Sequence, residues 1–338
     1  MIRTILQRLA LMGLILIGVM TVTFVLSRVL PGSPVEMMLG AKPTPEQIAQ
    51  AEEELGLNKP LLTQYGLFLG DAVRGDFGES LITGQPVTDD VFLRATATLE
   101  LVTLALLLAL FVGLPLGVQA AVKKETAVDH AVRMGSVAAV AVPVFFLGLL
   151  LQMFFAGKLG LLPLQGRIDS GVLLDYAFPR VTGSYLIDTL LAGEIGAFAS
   201  AVRHLILPVL TLSLASMATI VRVTRSMMIE AMQQDYIATV RAYGVPQKHI
   251  HYRYALKATL IPLLTVVGLT YGFMLGGSII VEFVFDWPGV GGYMVQALLN
   301  NDFPAVMGVT FFIAFAYLLI NLLIDLLYQA LDPRLRKS

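Results

Sequence analysis

The sequence predicts an all-α membrane protein with six transmembrane helices, both termini on the cytoplasmic side, and three observations lead there. Six uncharged apolar runs divide the 338 residues: Leu9–Ser27, Leu101–Val122, Met134–Gly157, His204–Val221, Ala258–Val281 and Phe303–Ile324. Each is close to the roughly 20 residues that cross a bilayer as helix. Composition agrees, with 57% hydrophobic residues, 14% charged and a mean hydropathy of +0.78. The third observation is the distribution of Lys and Arg. The formal net charge is only −1, yet the bases gather in alternate inter-run segments. Short basic loops stay cytoplasmic, which fixes the orientation as N-in, C-in. Backbone groups in lipid must be satisfied internally, and none of the runs shows the short-period alternation of a transmembrane barrel.

The first run follows Arg3 and Arg8 and is longer than a secretory signal core. LSRVLPGSP comes after it rather than a small-residue cleavage pattern, so a retained helix is expected. Residues 1–30 then form the N-terminal end and first helix, 31–95 an extracytoplasmic loop, and 96–338 a core of five helices. Within the loop, Thr44 and Pro45 mark a helix start and Gly56 a stop. Glu46 lies in the first turn, and Ile48, Ala51 and Leu55 share one side. The fourth run is the shortest and borrows Arg203 and Arg222 as snorkelling ends.

The most polar inner segment is 222–257, with six bases (Arg222, Arg225, Arg241, Lys248, Arg253, Lys257) against two acids (Glu230, Asp235). Met227–Tyr243 lacks Pro and Gly and is rich in helix formers. Gly244, Val245 and Pro246 then end it, and a second helix starts near Pro246 and runs into the fifth span. A helix–glycine–helix platform on the cytoplasmic membrane surface is expected, with basic residues available to lipid headgroups.

This platform resembles the signature loop of the integral membrane subunit of bacterial ATP-binding-cassette importers, in the oligopeptide/dipeptide/nickel family and as the first of its two permease subunits. The residues that carry the likeness are Glu230-Ala231, Asp235-Tyr236, Arg241-Ala242, Gly244 and Ile261-Pro262. Met232 and Tyr243 depart from the pattern without disturbing its shape. Further marks follow in order: LPGSPV, GLNKPLLTQY, GDFGESLITGQPV, GLLPLQG, RHLILPVLTLSL, GGSIIVEFVFDWPGVG and a closing DPRLR. The resemblance implies a type I, MetI-like permease fold and a coupling helix seated in a cleft of the ATPase. It also implies partners: a second homologous permease subunit, two cytoplasmic ATPase subunits, and a periplasmic or lipid-anchored substrate-binding protein. The location implied is the bacterial inner membrane and the cargo a di- or oligopeptide, with nickel or another small solute as the alternative.

The residues themselves offer no catalytic constellation, and no cofactor or nucleic acid is expected. There is no cysteine, which removes thiolate nucleophiles and Cys-based metal sites. The Gly289–Gly292 run lacks the lysine of a nucleotide loop, so ATP hydrolysis falls to another chain. His249 and His251 have no third ligand nearby, and His204 reads as a structural hydrogen-bonding residue. Glu100 and Asp325 are read as structural acids at helix ends. Glu282, beside Gly276 and Gly277, is the candidate for the pathway or an interface, since paired glycines permit close helix approach. A secondary transporter fits less well, because charge is missing at mid-depth of the runs. A membrane-embedded enzyme fails for want of converging polar groups.

Overall fold

The computed structural model describes residues 2–29, 44–54, 58–175 and 178–331. These residues form thirteen helices, short ones included, and the apolar runs fall within seven of them. Five are long and apolar enough to cross a membrane, and a sixth crossing is completed if one sharply bent pair counts as a single span. The chain divides into two compact units, Met1–Thr98 with Pro288–Leu318 and Leu99–Trp287 with Leu319–Ser338.

In the first unit, α1 (Ile2–Val29) is followed by α2 (Pro45–Glu54) and α3 (Leu61–Val73). The predicted start of α2 is a capping box. Gln47 N–H donates to Thr44 Oγ1 at 3.3 Å and Thr44 N–H donates to Gln47 Oε1 at 2.9 Å, satisfying two donors that a helix start leaves open. The expected stop at Gly56 lies outside the described residues, as do Leu55, LPGSPV and DPRLR. α3 lies on α1 through the Thr21–Tyr65 hydroxyl pair at 2.6 Å and through Phe24, whose ring centroid is 5.4 Å from Tyr65 and 5.6 Å from Phe68. The loop before α4 (Val87–Val122) is pinned by two buried acids. Asp302 accepts from Ser80 Oγ at 2.6 Å and from Ile82 N–H at 3.3 Å, while Asp90 accepts from the Tyr293 hydroxyl at 3.2 Å. Burial, with both carboxylates nearby, pushes the Tyr293 phenol up to about 12, so it remains a donor at any physiological pH. Beneath the loop, α4, α12 (Val290–Leu299) and α13 (Phe303–Leu331) share a core of Val87, Val91, Val290, Tyr293 and Val309.

In the second unit, the run expected as one straight span, Met134–Gly157, is broken. α5 (Ala127–Ala141) and α6 (Val144–Leu151, continued by a π-helical turn over Gln152–Lys158) meet at 99°. Pro143 is the cause: it forces Val142 into extended backbone, φ −88° and ψ 124°, and supplies no N–H. Two short helices follow, α7 (Ser170–Asp175) and α8 (Tyr185–Ala192). Asp188 fastens the start of α8, accepting from Thr182 N–H and Oγ1 at 2.8 Å each and from Gly183 N–H at 3.0 Å. Burial raises its carboxyl, but these donors outweigh it and hold the group below the ordinary aspartate value.

The fourth span is longer than its apolar run suggests: α9 covers Ile195–Met232, 38 residues. It packs on α4 where Gly113 and Gly117 leave room. A Cβ at Gly117 would stand 2.7 Å from Thr224 Cβ and 2.9 Å from the Val221 carbonyl oxygen. Glu100 has the structural role expected, but its position is corrected. It lies well inside α4 rather than at a helix end, pairs with Arg167, and accepts from Ser184 Oγ. Arg167 also stacks over Tyr185 at 4.4 Å and Trp287 at 5.4 Å. His204 has the structural role expected, with Nδ1 2.8 Å from the Ser200 carbonyl oxygen.

Candidate functional site

The predicted helix–glycine–helix arrangement is present, with one correction. The helix expected over Met227–Tyr243 is two helices. α9 ends at Met232, where Gln233 N–H reaches the Glu230 carbonyl at 3.1 Å and Gln234 N–H reaches Ala231 at 3.3 Å. The chain is extended at Gln234, φ −74° and ψ 148°, and a separate helix, α10 (Asp235–Ala242), begins. Neither Gly nor Pro marks this break, so helix propensity alone carries the residues straight through it. Asp235 in the first turn and Arg241 in the last both complement the helix dipole.

α10 stops as the sequence predicts. Gly244 has φ +75°, its N–H bonds to Arg241 O at 3.0 Å, and Val245 N–H reaches back to Val240 O at 3.4 Å. This is the six-to-one closure of a Schellman cap, with glycine at the left-handed position. Pro246 opens α11 (Gln247–Val284), which passes through a π-helical stretch, Ile250–Ala255, before the fifth span.

A single fully buried side chain anchors α10. Ile237 is enclosed with Val118 and Ala121 of α4, Met228 and Ala231 of α9, and Ile250 and Ala255 of α11, while Val240 and Val245 pack at the edge. Burying such a side chain contributes about 1.5–3 kcal/mol. The other side chains face outward: Asp235, Tyr236, Ala238, Thr239, Arg241, Ala242 and Tyr243 are exposed, Tyr243 at 84%. A two-turn helix held by one side and carrying two tyrosines and an arginine on the other has the residue types that dominate protein interfaces.

The structure therefore sorts the expected site residues. Asp235, Tyr236, Arg241, Ala242 and Gly244 share the exposed segment. Glu230 is exposed at the end of α9, and Ala231 is a core residue beneath α10, 8% exposed. Ile237 escapes the sequence reading, although its spacing to Val240 in DYIATVRA is the signal of a helix face. Asp129 escapes it as well. It is fully buried and takes Arg225 as a two-pronged partner, so Arg225 belongs to the interior and not to the charged surface. Of the pathway candidates, Glu282 is wholly buried and Gly277 has room for a Cβ 3.7 Å from Leu212. Gly276 is exposed, with nothing within 4 Å of where a Cβ would stand. Among the described residues no group of three potential metal ligands occurs.

Two family models cover nearly all of the chain. The model for the inner membrane component of binding-protein-dependent transport systems matches residues 113–337, and the model for the N-terminal part of such membrane components matches residues 1–102. The chain belongs to this family. The permease chain is also 42% identical over 330 residues to the probable D,D-dipeptide transport system permease protein DdpB of Escherichia coli, covering 96% of each. It is 39% identical to the dipeptide transport system permease protein DppB of Alkalihalophilus pseudofirmus, over 98% of each chain, and 40% identical to DppB of Escherichia coli, over 99% of each. The inward-facing methionine transporter MetNI, a solved structure, aligns at 16% identity and a TM-score of 0.49, covering 72% of the permease chain and 96% of that chain. That likeness is loose. The α10 segment, Asp235–Ala242, lies inside the matched block 113–337.

Proposed function

We propose that the permease chain is half of the translocation path of an ATP-binding-cassette importer for di- and oligopeptides. The observation that carries the reading is α10: a short helix fixed by Ile237 at its back and exposed on its other sides, in a chain of the binding-protein-dependent transport family. In this reading α10 seats in a cleft of a separate ATPase subunit. Closure of two ATPase subunits on ATP moves α10, and the shared cluster passes that motion to α4, α9 and α11. A second, homologous permease subunit completes the path with a MetI-like arrangement of six spans, N-in and C-in, in the bacterial inner membrane. A periplasmic or lipid-anchored binding protein delivers cargo. Peptide is preferred to nickel because the relatives named above are dipeptide permeases.

Reconstitution tests it. Proteoliposomes holding the permease pair and its ATPases, supplied with the cognate binding protein, are expected to accumulate labelled dipeptide only with ATP. Accumulation of nickel in place of dipeptide would reassign the cargo. Uptake of either without ATP would refute the importer reading. Gly244→Val is expected to leave the permease inserted while separating ATP turnover from uptake, because a β-branched residue at that φ is strained by about 1 kcal/mol or more.

A further inference from the structure

The residues between Pro246 and the apolar run that begins at Ala258 are not explained by docking of α10. Lys248, His249, Arg253 and Lys257 are all exposed. Of the other platform bases, Arg225 is bound to Asp129 and Arg241 lies on α10 itself. Among the described residues, Lys248, Arg253 and Lys257 form no ion pair, although Glu230 and Asp235 belong to the same platform.

Their placement is set by the backbone. Residues Ile250–Ala255 are π-helical, with hydrogen bonds running i→i+5, a form that is frequent at functional sites. The spacings Lys248–Arg253 and Arg253–Lys257, five and four residues, make neighbours on such a helix. Ile250 and Ala255 are buried in the cluster under α10, so one side of the segment is fixed and the opposite side is presented outward. Tyr252 and Tyr254 flank the bases, exposed at 42% and 38%, and the Tyr252 hydroxyl accepts from Gln119 Nε2 at 3.0 Å. Bases with tyrosines at the mouth of an apolar span form the composition of a headgroup-level anchor.

We infer that Lys248, Arg253 and Lys257 form a binding site for the headgroup phosphate of an anionic glycerophospholipid, with Tyr252 and Tyr254 at the glycerol level. Charge complementarity and direct continuity with the apolar run at Ala258 favour lipid over a protein partner. The inference rests on the reading that this end of the spans meets the cytoplasmic leaflet. Each such base contributes roughly a fivefold gain for an anionic surface.

The test is native mass spectrometry of the purified full-length chain titrated with phosphatidylglycerol or phosphatidylcholine, with and without inorganic phosphate. Wild type is expected to retain phosphatidylglycerol at least about tenfold better than phosphatidylcholine. The variant K248Q/R253Q/K257Q is expected to lose that preference, while K123Q/K124Q keeps it. Equal melting temperatures of wild type and both variants in phosphatidylcholine exclude misfolding as the cause. Displacement of the lipid by millimolar inorganic phosphate would show a simple anion site and overturn the lipid assignment. So would an unchanged preference in K248Q/R253Q/K257Q. If that variant instead lost ATPase co-purification while keeping lipid retention, the patch would belong to the ATPase. Lipid retention is read without ATP or cargo, so its outcome is independent of the importer reading.

Discussion

Arg225 grips Asp129 with two parallel contacts, Nε to Oδ1 and Nη2 to Oδ2, both 2.6 Å. The aspartate is fully buried and also accepts the Glu125 N–H at 3.0 Å. The pair ties the first turn of α5 to α9 two turns before α9 ends, so the base of the platform is clamped from the side.

Removing one partner of such a buried pair leaves an uncompensated charge, a cost of about 3–5 kcal/mol. Asp129→Asn is therefore expected to lower the melting temperature of the detergent-purified chain by many degrees. Asp129→Asn combined with Arg225→Met should recover much of the loss. Thermal unfolding of the three proteins checks it, and a single variant as stable as wild type would show that the clamp contributes nothing.

Gly117 is a second point where the support of α10 is tight. A methyl there meets the Val221 carbonyl oxygen of α9, a backbone atom that cannot swing aside. Gly117→Ala is expected to destabilise by about 1–3 kcal/mol. Gly135→Ala, on α5 where nothing lies within 4 Å, should be neutral or stabilising by up to about 1 kcal/mol. Parallel denaturation of the two variants decides it, and equal effects would contradict the packing described.

The Asp188 carboxylate carries a pH dependence. Its folded value lies below the unfolded one, so its contribution is present above the ordinary aspartate value and is lost as pH falls through the depressed folded value. Asp188→Asn should cost about 1–3 kcal/mol at neutral pH, with the gap from wild type closing in acid. Melting curves at pH 7 and pH 3 measure the gap, and a gap that widened in acid would reverse the sign.

Topology is tested by single cysteines placed in this cysteine-free chain. Gln50 on α2 and Gln247 at the start of α11 are both exposed, so accessibility differs only through the membrane. With the outer membrane permeabilised, an impermeant thiol reagent is expected to label a cysteine at Gln50 and not one at Gln247. The reverse pattern would invert the orientation.

How far the residues alone reveal this molecule depends on what kind of signal each feature leaves. Apolar runs locate every long helix, because burial in lipid demands a composition that little else does. The Thr44 cap and the Gly244 stop are legible because each depends on one side chain or on the lack of one. Pro143 is in plain view but looks no different from Pro115, Pro208 and Pro262, which all sit inside continuous helices. Only packing decides which proline breaks its helix. The break at Gln233-Gln234 leaves no local signal, since it is Ile237 finding its place among Met228, Ala231 and Ile250 that redirects the chain. Pairings such as Asp129–Arg225 and Glu100–Arg167 join residues 96 and 67 positions apart, beyond the reach of any periodicity.

If α10 is the coupling element, its outward face seats in an ATPase subunit. A photo-crosslinking amino acid placed at Ala242, exposed on that face, addresses this directly when the assembled transporter is illuminated. A crosslink from position 242 to the ATPase, with none from Gln50 on α2, is the predicted result. An ATPase that co-purifies with the chain yet crosslinks from neither Ala242 nor its neighbour Ala238 would contradict the coupling role.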